Sequence, residues 1–253
     1  MKVVKNDDLS NISICRQSID DTSDLPYIPP SPLPAKSFAM LVVAPAGGGK
    51  TSFWTSLLLS HPTRKKRDIN RIYYRYFDKI ILFSPSKDTL PMDKLKLDES
   101  RCFLKYNDED LTKFIEEEKD GENLNNLILI DDSVRDLTKS KILCKTILNR
   151  RHCTQNNDEE GKAGLSIMIT SQKYNMIPLA LRLNMSQVIV FRTENQKELK
   201  SIKEELMGDL TKEQQDELLK LAWKDKHDFL YIDAFKPKHE RYYRNFDRIE
   251  IPK

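Results

Sequence analysis

The chain has 253 residues, of which 39% are hydrophobic and 32% charged; this excludes a disordered or fibrous polypeptide and allows one sizeable α/β domain. Its 42 basic and 39 acidic side chains leave a formal charge of only +3. That excludes a uniformly cationic coat for nucleic acid, so any contact with DNA must come from local patches, concentrated by oligomerisation. No apolar run approaches the roughly 18 residues of a membrane span, and Met1–Ser13 is too polar for a secretory signal; a soluble intracellular protein is expected. Cys15, Cys102, Cys144 and Cys153 are scattered, without C-x-x-C spacing. Free thiols are therefore expected rather than a zinc site or a disulfide framework.

Residues 1–33 are rich in Asp, Ser and Pro and end in a proline cluster. Proline fixes φ and removes a backbone donor, so this stretch reads as an extended arm. From Phe38 onward, short apolar runs alternate with polar or helical stretches: Phe38–Val43, Lys79–Ser84, Cys102–Tyr106, Leu127–Ile130, Leu165–Thr170, Gln187–Arg192 and Phe229–Ile232. Each is too short for a helix, and several lack polar alternation, as strands buried on both faces of a parallel sheet do. The alternation predicts an α/β sandwich. Two helices are expected near the end, over Asn195–Met207 and from a Thr211/Gln214 capping box through Trp223. Asp228–Lys253 reads as strands around a turn at Lys236-Pro237. The expected division is an arm over 1–33, the main domain over 34–235 and a basic strand or tail over 236–253.

The first run carries the strongest chemical signal. A strand passes into Ala44-Pro45-Ala46-Gly47-Gly48-Gly49-Lys50-Thr51-Ser52, and an apolar helix follows. Glycines let backbone N–H groups turn inward around phosphate oxygens, and a helix N-terminus adds further donors and the positive end of its dipole. Lys50 would reach the β and γ phosphates of ATP, and the Thr51 hydroxyl would hold Mg2+. The usual pattern opens with Gly; here Ala44 stands in that place.

Asn126–Ser133 is a second apolar strand, ending in Asp131-Asp132. One acid at such a tip orients the magnesium shell and the next polarises the attacking water, which assigns Asp131 to metal and Asp132 to catalysis. Leu165–Gln172 ends in polar residues, and the Gln172 amide can both donate and accept beside a γ-phosphate. Arg150-Arg151-His152 precedes it. A guanidinium matches phosphate oxygens, and one supplied by a neighbouring subunit can stabilise transition-state charge; Arg182 is a further candidate. His152 beside Cys153 lacks the clustered ligands of a metal site. Two basic stretches interleaved with aromatics, Arg64–Tyr76 and Lys236–Arg248, could meet phosphates or simply be solvated surface.

Lys50-Thr51, Asp131-Asp132, Arg150-Arg151-His152 and Gln172, in this order, resemble the FtsK/HerA-type P-loop ATPases. The likeness is greatest to their viral branch, the genome-packaging ATPases of large DNA viruses, poxviruses and virophages, and it covers roughly residues 33–235. A polar insert, Gln155–Gly164, departs from that pattern, as does Ala44. The resemblance implies an additional-strand P-loop NTPase sandwich, with a mainly parallel sheet and a small C-terminal β extension. It further implies a homo-oligomeric ring that drives double-stranded DNA into a preformed capsid. A capsid or portal-vertex protein is then a partner, and the host cytoplasm (a viral factory) or the virion is the location. By position, Gln172 becomes the sensor and Arg150 or Arg151 the finger acting in trans. A nucleoside or nucleotide kinase and an ATP-binding assembly protein without motor activity are the alternatives. A GTPase is disfavoured because no Asn-Lys-x-Asp motif is present.

Overall fold

The seven apolar runs become strands of one sheet. The structure, a computed structural model, describes residues 25–60, 72–119, 125–133, 137, 140–151 and 164–252. Within these the strands are β1 (Ala39–Val43), β2 (Lys79–Phe83), β3 (Cys102–Phe103), β4 (Asn125–Ile130), β5 (Gly164–Ser171), β6 (Gln187–Phe191), β7 (Phe229–Asp233), β8 (Tyr242–Arg244) and β9 (Asp247–Arg248). The helices are α1 (Lys50–Leu59), α2 (Met92–Leu95), α3 (Asp108–Lys119), α4 (Lys141–Asn149), α5 (Leu179–Arg182), α6 (Gln196–Leu206) and α7 (Lys212–Ala222).

The strands lie in the order β3-β2-β4-β5-β1-β6-β7-β8-β9. The first six are mutually parallel, with Leu41 facing Ile169 on one side and Val188 on the other. The last three add antiparallel. This is the expected mainly parallel sheet with a small C-terminal β extension. β5 stands between β1 and β4, so the glycine-loop strand and the acid-pair strand are separated by one additional strand.

Strand alternation divides the core into two layers. Ala39, Leu41 and Val43 face the cluster built from Leu111 and Phe114 of α3, Leu143 and Ile147 of α4, Ile202 of α6 and Leu218 of α7. Met40 and Val42 face Phe53, Trp54 and Leu57 of α1 together with Tyr73, Tyr76 and Phe77. Burial on both faces is why these strands lack polar alternation. α6 starts on an Asn195 cap, and α7 on the predicted capping box, with Thr211 accepting from the Gln214 amide and Gln214 accepting in return.

From Leu25 onward the proline-rich stretch is docked on the domain through bends and a turn in which the Leu33 amide donates to Pro30 O at 3.0 Å. Its prolines lack N–H groups, and the carbonyls of Pro32, Pro34 and Ala35 accept the hydroxyls of Tyr231, Tyr73 and Tyr76. Leu33 joins the second core layer. Residues 1–24 lie outside the described residues, as do Cys15 and Cys153. Cys102 and Cys144 are free thiols, and burial pushes Cys102 up to about 11.

Candidate active site

Parallel strands deliver the loops after β1, β2, β4 and β5 to one edge, where crossover folds leave a crevice. The glycine loop leaves β1 with Ala44 buried. The Ala44 amide donates to Ser171 O at 3.0 Å, and its carbonyl accepts from Lys50 Nζ at 3.2 Å. Ala44 is not among the residues of positive φ; Gly47 and Gly49 are, at 71° and 110°. The left-handed turns therefore fall on glycines, and alanine fits the strand exit. At Gly48 the constraint is space, since a Cβ there would stand 2.9 Å from Pro45 O.

Gly49 caps α1 without a side-chain hydrogen bond, and no acid occupies the first turn. Among the described residues the amides of Gly47, Gly49, Lys50, Thr51 and Ser52 have no protein acceptor. Those donors, the dipole and the buried Lys50 make a cradle that fits a polyphosphate.

Asp131 follows β4 and is buried. Thr170 donates to its Oδ1 at 2.7 Å, while Ser84 and Thr51 donate to its Oδ2 at 3.1 and 3.5 Å. One carboxylate beside one threonine hydroxyl suits Mg2+, which keeps waters and takes few protein ligands. Among the described residues no group of three or more His, Cys, Asp or Glu could hold a metal ion. Asp132 has φ 54° and donates its amide to Thr170 Oγ1 at 3.0 Å. Its Oδ2 accepts from Gln172 Nε2 at 3.0 Å and lies 3.6 Å from Lys50 Nζ. The structure thus brings Lys50, Thr51, Asp131, Asp132 and Gln172 together. Ser84 and Thr170 complete the group, and sequence reasoning had not assigned them.

The arginines lie elsewhere. α4 is the crossover from β4 to β5, so its C-terminal end lies where β5 begins, at the opposite edge from Gln172. Arg150 is buried there, donating from Nε to Ser37 O at 2.6 Å and from Nη1 to Ile147 O at 2.8 Å. Burial, and then the neighbouring Arg151, lower its pKa. The two arginines therefore differ in their surroundings: Arg150 braces the entry to β1, and Arg151 is exposed. Arg182 is engaged with Glu205 at 2.7 Å and lies over the Tyr174 ring. His152 and most of the polar insert lie outside the described residues.

The basic stretches change meaning too. Arg241 pairs with Asp209, Arg244 with Asp225 and Asp228, and Arg248 with Glu250. Tyr242 and Tyr243 are buried. These arginines are matched by acids of the same chain, whereas Lys236 is exposed and Lys238 donates to Gln214 Oε1 at 3.4 Å. Of the first stretch, Arg64–Arg67 and Arg71 lie outside the described residues, and Tyr73 and Tyr76 are core.

A strand–loop–helix cradle, an acid pair one strand away and a polar strand tip between them lie on the fold of an additional-strand P-loop NTPase sandwich. No protein-family model matches the sequence, and no curated protein does. Solved structures match the fold. The genome packaging NTPase B204 from Sulfolobus turreted icosahedral virus 2, in complex with ATPγS, superposes with a TM-score of 0.57 at 12% identity, covering 84% of this chain and 98% of its own. Its sulfate complex gives 0.52 at 15% identity, covering 87% and 100%. The pCW3 conjugation coupling protein TcpA with ATPγS gives 0.53 at 14% identity, covering 84% and 60%. At such identities the likeness is one of fold.

Proposed function

We propose that the chain is an ATP-hydrolysing motor that translocates double-stranded DNA into a preformed viral capsid. The observation that carries the reading is the convergence of Lys50, Asp131, Asp132 and Gln172 across three adjacent strands, β1, β5 and β4. The likeness in fold to a genome packaging NTPase in complex with ATPγS supports it.

The loop amides and Lys50 bind the phosphates. Thr51 and Asp131 would hold Mg2+, which would offset phosphate charge as a Lewis acid. Lys50 leaves Asp132 for the phosphates, and Asp132 then accepts a proton from the attacking water. Gln172, already bonded to Asp132, orients that water and reports the γ-phosphate. Arg151, exposed and remote from its own chain's loop, is the arginine proposed to reach a neighbouring subunit's nucleotide in a homo-oligomeric ring. DNA is gripped without sequence reading. A capsid or portal-vertex protein anchors the ring, in a viral factory of the host cytoplasm or in the virion. Among the described residues no helix is long and apolar enough to cross a membrane.

The test is ATP hydrolysis against protein concentration, with and without duplex DNA. The motor reading expects cooperative dependence on protein and stimulation by DNA. Phosphate transfer to a nucleoside without any effect of DNA would favour a kinase. Binding without turnover in the assembled state would favour an assembly protein.

A further inference from the structure

The described part of the site accounts for phosphates and leaves the base of the nucleotide without a seat. Asp132 and Gln172 fix where the γ-phosphate end must lie, on the β5 and β4 side of β1. The ribose and base then run the other way, over β6 and the antiparallel extension.

An aromatic cluster begins there. The Phe191 ring, at the end of β6, lies 3.5 Å from where a Cβ on Gly49 would stand. Phe191 and Phe53 of α1 are 6.2 Å apart, and Phe229 lies 5.2 Å from each. Outermost is Phe246, 5.4 Å from Phe229 and 6.4 Å from Phe53. The inner three rings are buried, whereas Phe246 is 36% exposed. Because β7 runs back against β6 and β8 back against β7, the turn after β8 returns to the edge of the glycine loop. The other exposed phenylalanine, Phe235, follows β7 at the opposite edge.

The turn that presents Phe246 is held firmly. Asn245 has φ 54°, donates its amide to Phe229 O at 2.9 Å, accepts from Phe229 N at 3.1 Å and donates from Nδ2 to Asp228 Oδ1 at 2.8 Å. Arg244 clamps the other oxygen of Asp228 at 2.9 Å. A flat apolar ring is thus pre-positioned beside α1, at low entropic cost to a ligand that stacks on it.

We propose that Phe246 is the platform on which the base of the bound nucleoside triphosphate stacks; this rests on the reading of the glycine loop as a nucleotide cradle. A ring face meets any base and overlaps most with a purine, so the platform favours purine over pyrimidine nucleotides.

Binding of ATPγS and of inorganic tripolyphosphate to the full chain tests this. Phe246→Ala is expected to weaken ATPγS by about 5- to 100-fold and leave tripolyphosphate unchanged. Phe246→Trp keeps ATPγS affinity, and its added fluorescence, read against the parent's two buried tryptophans, is quenched by ATPγS and not by tripolyphosphate. Unchanged ATPγS affinity in Phe246→Ala, equal loss for both ligands, or no quench in Phe246→Trp overturns the platform. Failure of the cradle itself reads differently: Lys50→Ala would then leave the binding of both ligands as in the parent.

Discussion

The Thr170 hydroxyl donates to Asp131 Oδ1 across 2.7 Å. Its single proton is spent there, so the oxygen is left to accept the Asp132 amide at 3.0 Å. One side chain thereby orients the proposed metal ligand and holds the next residue in its left-handed conformation. Thr170→Val keeps the shape and removes both bonds. Hydrogen bonds to charged groups contribute about 1.5–3 kcal/mol, so kcat is expected to fall by about tenfold to a hundredfold. Thr170→Ser should recover most of it, in steady-state ATP hydrolysis.

Arg150 and Arg151 are expected to separate. Arg150→Ala strands the buried carbonyl of Ser37 and should lower stability by about 1.5–3 kcal/mol in denaturant titrations. Arg151→Ala should leave stability within about 0.5 kcal/mol while abolishing turnover of the assembled protein and sparing ATPγS binding. Normal turnover in the double variant would remove the trans-finger assignment altogether.

Asp233 gives a pH signature. It accepts from the Phe235 amide at 3.2 Å and is buried, and that burial raises its pKa. The native state therefore holds a proton that the unfolded chain has already lost. Stability falls as pH rises from the ordinary carboxylate range to the native pKa, and is flat above it. Asp233→Asn removes this descent. Its thermal midpoint should match the parent's near about pH 3 and exceed it near about pH 7.

Ala44 offers a test of the loop. A glycine there gains no conformation the site uses and frees the unfolded chain. Ala44→Gly is expected to cost about 0.4–1 kcal/mol of stability and leave ATPγS affinity unaltered.

Much of this arrangement was legible in the sequence because its signals are local. A glycine cluster between a strand and Lys50-Thr51, or two acids after Leu-Ile-Leu-Ile, declares its chemistry within ten residues. Ser84 was not legible, because its role depends on β2 lying beside β4, a pairing between residues 47 apart in sequence. Thr170 stood in view beside Gln172, but its two-way bond depends on the backbone turn at Asp132. The place of Arg150 could be read from the connection that carries it. A helix that crosses between parallel strands ends where the next strand begins, which is the edge away from every strand tip. Phe246 depended on two antiparallel reversals returning the chain to the loop edge. The ion-paired cations of the C-terminal stretch looked free only while their acids, Asp209 and Asp225, were unplaced.

The central claim is that Asp132, beside Lys50 and Gln172, turns a phosphate cradle into a hydrolytic site. Single-turnover hydrolysis of saturating ATP by Asp132→Asn, with ATPγS binding measured in parallel, tests it most directly. Parental binding with a rate lower by about 10²- to 10⁴-fold is predicted. Hydrolysis at the parental rate with ATP bound would contradict it.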